Sequence, residues 1–112
     1  GTYLKALAAR ANGVPFYVTL PESTIDWHCP CGDDIPIEER DTAEVLSVTG
    51  LDDAGELHAL RLAGNETAAF NPAFDVTPAA LVTALVTEHG VVDASPAGLA
   101  GLRAQISSSS PM

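Results

Sequence analysis

The chain has 112 residues, of which 46% are hydrophobic and 18% charged, which is typical of a globular protein and not of a disordered one. Its formal net charge of −10 at pH 7 argues against nucleic acid and anionic membrane as partners, because an acidic surface repels both. No apolar run approaches the roughly 20 residues that span a bilayer, and no signal peptide is visible. A cytoplasmic location is therefore expected.

The first predicted elements are a helix and a buried strand. The helix covers residues 2–10, and Gly13 suits the left-handed residue that ends many helices. Residues 14–20 form an apolar run rich in β-branched and aromatic side chains, which predicts a strand of a parallel sheet. Residues 21–26 make a polar exit from it. The apolar stripe of the helix, at helical spacing, is Leu4, Leu7, Ala8 and Ala11.

The middle of the chain predicts a short helix and a hairpin. Residues 35–40 alternate apolar and polar side chains, which indicates an extended segment. Asp41 and Glu44 have the spacing of a capping box that opens a short helix over residues 42–46. Residues 47–63 place leucines and a valine on both sides of a turn-rich stretch, which favours a β-hairpin.

The last third predicts two helices around a short strand. Thr77-Pro78 is a strong helix start, and the apolar stripe that follows predicts a helix ending near Gly90, with His89 in its last turn. Residues 91–92 form a short strand, and Ser95-Pro96 opens the final helix. The alternation predicts an α/β fold, part of a parallel sheet with flanking helices and a β-hairpin insertion. It covers residues 1–106 without an internal boundary, and residues 107–112 form a disordered tail.

Few residue patterns predict chemistry. Gly1 and Thr2 lie at a helix N-terminus, where free N–H groups favour an anion, although every helix start has this property. Cys29 and Cys31 form a Cys-x-Cys pair, but zinc needs four ligands and no second pair exists, so no metal site is predicted. The charged run of residues 38–41 is more typical of an ion-paired surface than of a catalytic site.

Asn71 and Asp75 are the stronger binding candidates. If a strand ends near Phe70 and a helix begins at Pro78, their loop lies at the carboxyl end of a parallel strand, where open α/β sheets bind ligands. Ser23, Thr24 and Asp26 leave the other strand at the same edge. The alternative is that Asn71 and Asp75 brace the loop by hydrogen bonds to the backbone.

Five segments, in this order and spacing, resemble the methylthioribose-1-phosphate isomerases, and the similarity extends over about residues 1–100. The segments are Gly1-Thr2-Tyr3-Leu4, Gly13-Val14-Pro15-Phe16-Tyr17-Val18, Ser23-Thr24-Ile25-Asp26, Ile35-Pro36-Ile37-Glu38-Glu39-Arg40 and Asn71-Pro72-Ala73-Phe74-Asp75-Val76-Thr77-Pro78. The resemblance implies an aldose–ketose isomerase of methionine salvage, which makes 5-methylthioribulose 1-phosphate from 5-methylthioribose 1-phosphate. It implies a Rossmann-like domain, a homodimer, a sugar-phosphate substrate, and no cofactor or metal.

The resemblance also implies that this chain carries no catalytic residue. In the family, the catalytic Asp and an Asn-Lys substrate clamp come just before the Gly-Thr-Tyr motif, which here is Gly1-Thr2-Tyr3. The catalytic Cys lies further upstream, and neither cysteine of this chain takes its place. The chain is therefore expected to be inactive without the missing N-terminal part, and to contribute one wall of the substrate site through Gly1, Thr2, Asn71 and Asp75. A regulatory binding module of the same fold family, or an isomerase of another sugar 1-phosphate, remains an alternative.

Overall fold

The computed structural model describes residues 1–109. In chain order its elements are α1 (Thr2–Ala11), β1 (Tyr17–Thr19), α2 (Ala43–Leu46), β2 (Ser47–Leu51), β3 (Leu57–Arg61), β4 (Ala84–Thr87), β5 (Gly90–Val92) and α3 (Pro96–Ser109). Single 3-10 turns cover Glu22–Thr24, Gly32–Asp34 and Ala79–Leu81. The sequence indicates no boundary within residues 1–106, but internal contacts divide the chain into two compact units, Gly1–Ile35 with Asp75–Met112, and Pro36–Phe74.

The first unit contains a mixed three-stranded sheet in the order β1-β4-β5. Strands β1 and β4 run parallel, with Tyr17 opposite Ala84, and β4 and β5 run antiparallel, with Thr87 opposite Gly90. The predicted parallel pairing is thus present for one pair of strands. Thr83 fixes the start of this pairing, because its hydroxyl accepts from the Phe16 N–H at 2.9 Å and its own N–H donates to the Phe16 carbonyl oxygen at 2.7 Å.

The predicted helix after Thr77-Pro78 is wrong. Pro78 has φ −58° and ψ 136°, which is extended, and a single 3-10 turn leads from it into β4. The residues of the supposed apolar stripe form a run that also fits a central strand, and periodicity alone does not separate the two. Pairing with β1 on one side and β5 on the other decides for the strand, because both neighbours hydrogen-bond to the backbone of β4. His89 consequently lies in the β4–β5 turn and not at a helix end.

The apolar side chains of α1 are mostly uncovered. Within residues 1–109 the buried hydrophobic residues are Ala6, Ala84 and Leu102. The predicted apolar stripe of α1 does not face the core, since Leu4 is 73% and Leu7 40% exposed. Ala6, which is not part of that stripe, is completely buried. The C-terminal end of α1 agrees with the prediction, because Gly13 has φ +65°, a conformation that costs glycine little.

Helix α3 begins where the sequence predicts it. The Ser95 hydroxyl accepts from the Gly98 N–H at 3.0 Å, which caps the helix. The helix continues through Ser107 to Ser109, where a disordered tail is predicted, and the rest of that tail, residues 110–112, lies outside the described residues. Among residues 1–109, no helix is both long and apolar enough to cross a membrane.

The second unit contains the predicted hairpin. Strands β2 and β3 pair antiparallel, with Thr49 opposite Ala59. Asp52 shapes the turn, because its Oδ1 accepts from the N–H groups of Ala54 and Glu56, both at 2.9 Å, and Gly55 takes φ +79°. No strand ends near Phe70. Outside the hairpin, residues 38–40 and 71–73 meet at an isolated antiparallel bridge between Glu39 and Pro72.

Candidate functional site

Asp75 lies at the N-terminal end of α1. Its Oδ2 accepts from the Tyr3 N–H at 3.0 Å and is 3.3 Å from the Gly1 nitrogen. The Tyr3 N–H is the main cause that holds the pKa of Asp75 below its usual value, against partial desolvation. The structure thus brings together three of the predicted site residues, Gly1, Thr2 and Asp75, and places a carboxylate where the helix N-terminus favours negative charge.

The location of Asp75 differs from the prediction. Because no strand ends near Phe70, Asp75 does not follow the carboxyl end of a parallel strand, and the next strand after it is β4. Its proximity to Gly1 and Thr2 therefore arises from helix capping and not from the edge of the sheet. Asp75 satisfies one of the N–H groups that a helix leaves free at its start, and this is the bracing role that the sequence leaves open.

An open hollow of about 550 Å³ lies beside Tyr3 in the same unit. Cys31, Gly32 and Val76 line part of it. Gly32 is required there, because a Cβ at this position would be 2.5 Å from Val76 Cγ1. The two thiols make local contacts: Cys29 Sγ is 3.2 Å from the Cys31 carbonyl oxygen, and Cys31 Sγ is 3.3 Å from Asp34 Oδ2.

Asn71 belongs to the other unit, where it holds two segments together. Its side-chain Nδ2 donates to the Asp41 carbonyl oxygen at 2.9 Å and to Glu44 Oε2 at 3.0 Å. Its backbone carbonyl oxygen accepts from the Arg40 N–H at 2.8 Å. The amide therefore joins residues 71–73 to the loop before α2. This arrangement is the bracing alternative for Asn71, and the amide oxygen of its side chain stays available to a ligand.

Within the charged segment around residue 40, Arg40 forms an ion pair with Glu44. Arg40 Nη2 is 2.8 Å from Glu44 Oε1, and both side chains are about half exposed. Two hydrogen bonds lower the pKa of Glu44, the larger effect coming from Arg40 and the smaller from Asn71. The hydrogen bond to Glu44 in turn raises the pKa of Arg40. The predicted capping box is wrong in detail, because Glu44 binds these side chains while Asp41 Oδ1 accepts from the Ala43 N–H at 2.9 Å.

The carboxyl ends of β1 and β4 carry two residues that the sequence analysis does not identify. Both carboxylate oxygens of Glu88 accept from the Glu22 N–H, at 2.9 and 3.2 Å, and Glu22 Oε1 accepts from Trp27 Nε1 at 3.3 Å. His89 Nε2 is 3.8 Å from Glu88 Oε1. The backbone N–H groups of Glu88 itself and of Glu22 lower the pKa of Glu88. If residues 87–90, Thr-Glu-His-Gly, are interpreted as a turn and not as a helix end, Glu88 is placed here.

The cluster of Glu22, Glu88 and His89 at this edge of the sheet is poorly suited to bind a phosphate. Two carboxylates and a histidine offer ligand atoms within 4.8 Å of one another. A hydrogen bond from the backbone already engages each oxygen of Glu88, so the cluster ties the loop after β1 to the β4–β5 turn. Negative charge at this edge repels a phosphate ester.

Comparisons with known proteins agree with these motifs. The model of the Initiation factor 2 subunit family matches residues 1–94. The chain is 62% identical over 103 residues to a methylthioribose-1-phosphate isomerase of Gluconobacter oxydans and 57% identical to one of Sinorhizobium medicae, in each case over 91% of this chain and 28% of the relative. The chain thus spans about a quarter of the length of these relatives.

Two solved structures have a similar fold. A crystal structure of 5-methylthioribose 1-phosphate isomerase from Pyrococcus horikoshii matches with a TM-score of 0.71 and 38% identity, over 96% of this chain and 27% of that one. The delta subunit of a translation initiation factor from A. fulgidus matches with a TM-score of 0.63 and 36% identity, over 82% and 24%. The match of a single family model to residues 1–94 of 112 shows that the chain belongs to the Initiation factor 2 subunit family.

Proposed function

We propose that this chain is the C-terminal part of a methylthioribose-1-phosphate isomerase. The observation that carries the proposal is the 62% identity over 103 residues to such an enzyme, against 36% to the initiation factor subunit. The whole enzyme would convert the aldose phosphate into the ketose phosphate in the cytoplasm, as a step of methionine salvage. In it, β1 and β4 would belong to a larger Rossmann-like sheet.

The exposed stripe of α1 supports a larger protein around this chain. Leu4 lies on the side of the helix opposite to the buried Ala6 and is 73% exposed, and Leu7 is 40% exposed. Burial of such a side chain stabilises a protein by about 1.5–3 kcal/mol, so this stripe has strong reason to be covered. The N-terminal part of the enzyme is the cover that the proposal assigns.

The residues of this chain would position substrate groups and not react. The catalytic residues would lie before Gly1 and would lead directly into α1, whose N-terminus Asp75 would fix. Gly1 and Thr2 would then belong to the substrate site beside Asp75, whose carboxylate accepts from the Tyr3 N–H. Asn71 would hold the loop after residue 38 through its bonds to Asp41 and Glu44.

A chimera tests the proposal. The matching 103 residues of the Gluconobacter oxydans isomerase are replaced by those of this chain, and turnover of 5-methylthioribose 1-phosphate is measured beside the 112-residue chain alone. We expect an active chimera and an inactive lone chain. A folded chimera without turnover would contradict the isomerase assignment. Turnover by the lone chain would contradict the placement of the catalytic residues outside it.

The structural similarity to the initiation factor subunit supports a second candidate, a regulatory binding module. Such a module binds a sugar phosphate or nucleotide without isomerising it. A folded chimera that binds 5-methylthioribose 1-phosphate but does not convert it would favour this candidate. Conversion of another sugar 1-phosphate in preference to the methylthio sugar would instead indicate an isomerase of different specificity on the same fold.

A further inference from the structure

The loop after β1 carries both cysteines of the chain, Cys29 and Cys31, on either side of Pro30. Neither of them is buried, since Cys29 is half-buried and Cys31 is exposed. Free cysteine is among the residue types that are most often buried, where it packs as a small apolar side chain. Packing of the core therefore does not account for this pair, and its thiol chemistry is the property to consider.

The fold gives the two thiols different environments. Cys31 lines the open hollow beside Tyr3, and its Sγ is 3.3 Å from Asp34 Oδ2. The Sγ of Cys29 is 3.2 Å from the Cys31 carbonyl oxygen, so this sulfur lies beside the backbone of residue 31. A molecule from solvent can reach Cys31, and Cys29 is held next to it. In redox-active pairs an accessible thiol reacts first and a neighbouring thiol resolves the product.

The arrangement favours this chemistry over metal binding. A structural zinc site needs four converging ligands, whereas thiol–disulfide exchange within a pair needs only two sulfur atoms. Neither sulfur lies in a group of three converging ligand atoms within residues 1–109, where such groups are Glu22 with Glu88 and His89, and Asp52 with Glu56 and His58. The two thiols are therefore placed to react with each other and not to share an ion.

A disulfide can close over the single residue between the two cysteines. Disulfides join Cα atoms that are about 4.4–6.8 Å apart, and two positions along a chain are separated by at most about 7 Å. A ring this small constrains the unfolded chain little, so the bond would add little stability. Exposed disulfides are the ones that small thiols reduce again, and in the cytoplasm such bonds are usually transient.

We propose that Cys29 and Cys31 form a redox-active dithiol that a low-molecular-weight disulfide, such as glutathione disulfide, oxidises to an internal disulfide. The Cys31 thiolate attacks one sulfur of the small disulfide, whose S–S bond breaks, and a mixed disulfide and one small thiol result. The Cys29 thiolate then attacks the Cys31 sulfur and displaces the second small thiol. The pair loses two electrons and two protons, and the small disulfide gains both.

Mass spectrometry tests the reaction directly, because the chain has no other cysteine. The 112-residue chain is incubated with glutathione disulfide and then with an excess of reduced glutathione. We expect a chain that has lost two hydrogen atoms and carries no glutathione, and that regains its original mass in the second step. An unreacted chain, glutathione retained on both cysteines, or a disulfide between two chains would overturn the proposal.

Single variants test the order of attack. Cys29→Ser leaves the exposed thiol and Cys31→Ser leaves the half-buried one, so each variant can form a mixed disulfide that no second thiol resolves. We expect glutathione disulfide to modify Cys31 in the first variant about fivefold faster than Cys29 in the second, because Cys31 is the accessible thiol. Equal rates, or a faster reaction of Cys29, would overturn the proposed order.

The same two variants in concentrated urea are the control. There the fold no longer distinguishes the two thiols, so their rates should converge. A difference that persists in urea would come from the local sequence, and it would overturn the roles that the folded loop assigns to the two cysteines. This inference does not depend on the isomerase reaction, so either can fail alone.

Discussion

Leu102 should carry more of the first unit's stability than any other single side chain. It is the largest side chain in the described residues that is completely buried, and its buried companions, Ala6 and Ala84, are small. Leu102→Ala removes buried methyl groups and leaves a cavity, a change that costs about 3 kcal/mol in a packed core. A domain of this size is stable by about 5–15 kcal/mol, so the loss is a large fraction.

Trp27 allows the change to be measured. Arg103, the neighbour of Leu102 on α3, lies over the Trp27 ring at 5.6 Å from its centroid, so the fluorescence of the only tryptophan reports on the docking of this helix. With a urea slope of about 1.5 kcal/mol/M, the midpoint should fall by about 2 M at fixed protein concentration. Leu4→Ala is the control, since Leu4 is 73% exposed. A midpoint shift for Leu102→Ala no larger than that for Leu4→Ala would refute the assignment of the core.

Three further changes have directions that follow from the structure. Gly98→Ala should destabilise α3 strongly, because a Cβ at Gly98 would be 2.2 Å from the Asp93 carbonyl oxygen. The control, Gly101→Ala, places its Cβ in open space and should stabilise the chain by about 0.5–1 kcal/mol in the same urea titration. Asp75→Asn should reduce the loss of stability below about pH 4. The Tyr3 N–H lowers the pKa of Asp75 in the folded chain, so the Asp75 carboxylate stabilises the fold above the usual carboxyl pKa. This stabilisation disappears as the pH falls through the lowered pKa of the folded chain. Parallel pH profiles for wild type and variant would contradict this. Asn71→Ala should accelerate hydrogen exchange at the Arg40 N–H roughly fivefold, through the loss of hydrogen bonds worth about 1 kcal/mol, and unchanged exchange would argue against a bracing role.

The predicted elements that were confirmed depend on local interactions. The hairpin follows from the turn residues around Asp52 and Gly55, where side-chain and glycine preferences act within five residues. Ser95-Pro96 opens α3, because a hydroxyl cap and a proline at the first helical position act within one turn. Gly1 and Thr2 were predicted as site residues from a local property too, since every helix start has free N–H groups.

The elements that were predicted wrongly depend on distant partners. Residues 81–86 have helical spacing and also the apolar run of a central strand, and only the backbones of β1 and β5 decide between them. The strand expected to end near Phe70 is absent, and Asp75 instead binds the Tyr3 N–H at the N-terminus of α1, 72 residues away in sequence. Strand β4 brings Glu88 to the edge of the sheet, beside Glu22.

The sequence by itself determined the family of this protein, the turn of the hairpin and the start of α3 at Ser95-Pro96. Motif identity and the preferences of individual residues for turns and helix ends are properties of short segments, so one chain is enough to show them. Tertiary structure alone decided which apolar faces are covered: Ala6 is buried on α1 while Leu4 is exposed, and the hairpin keeps both faces open. Burial depends on what lies opposite each face, and periodicity specifies only that a face exists.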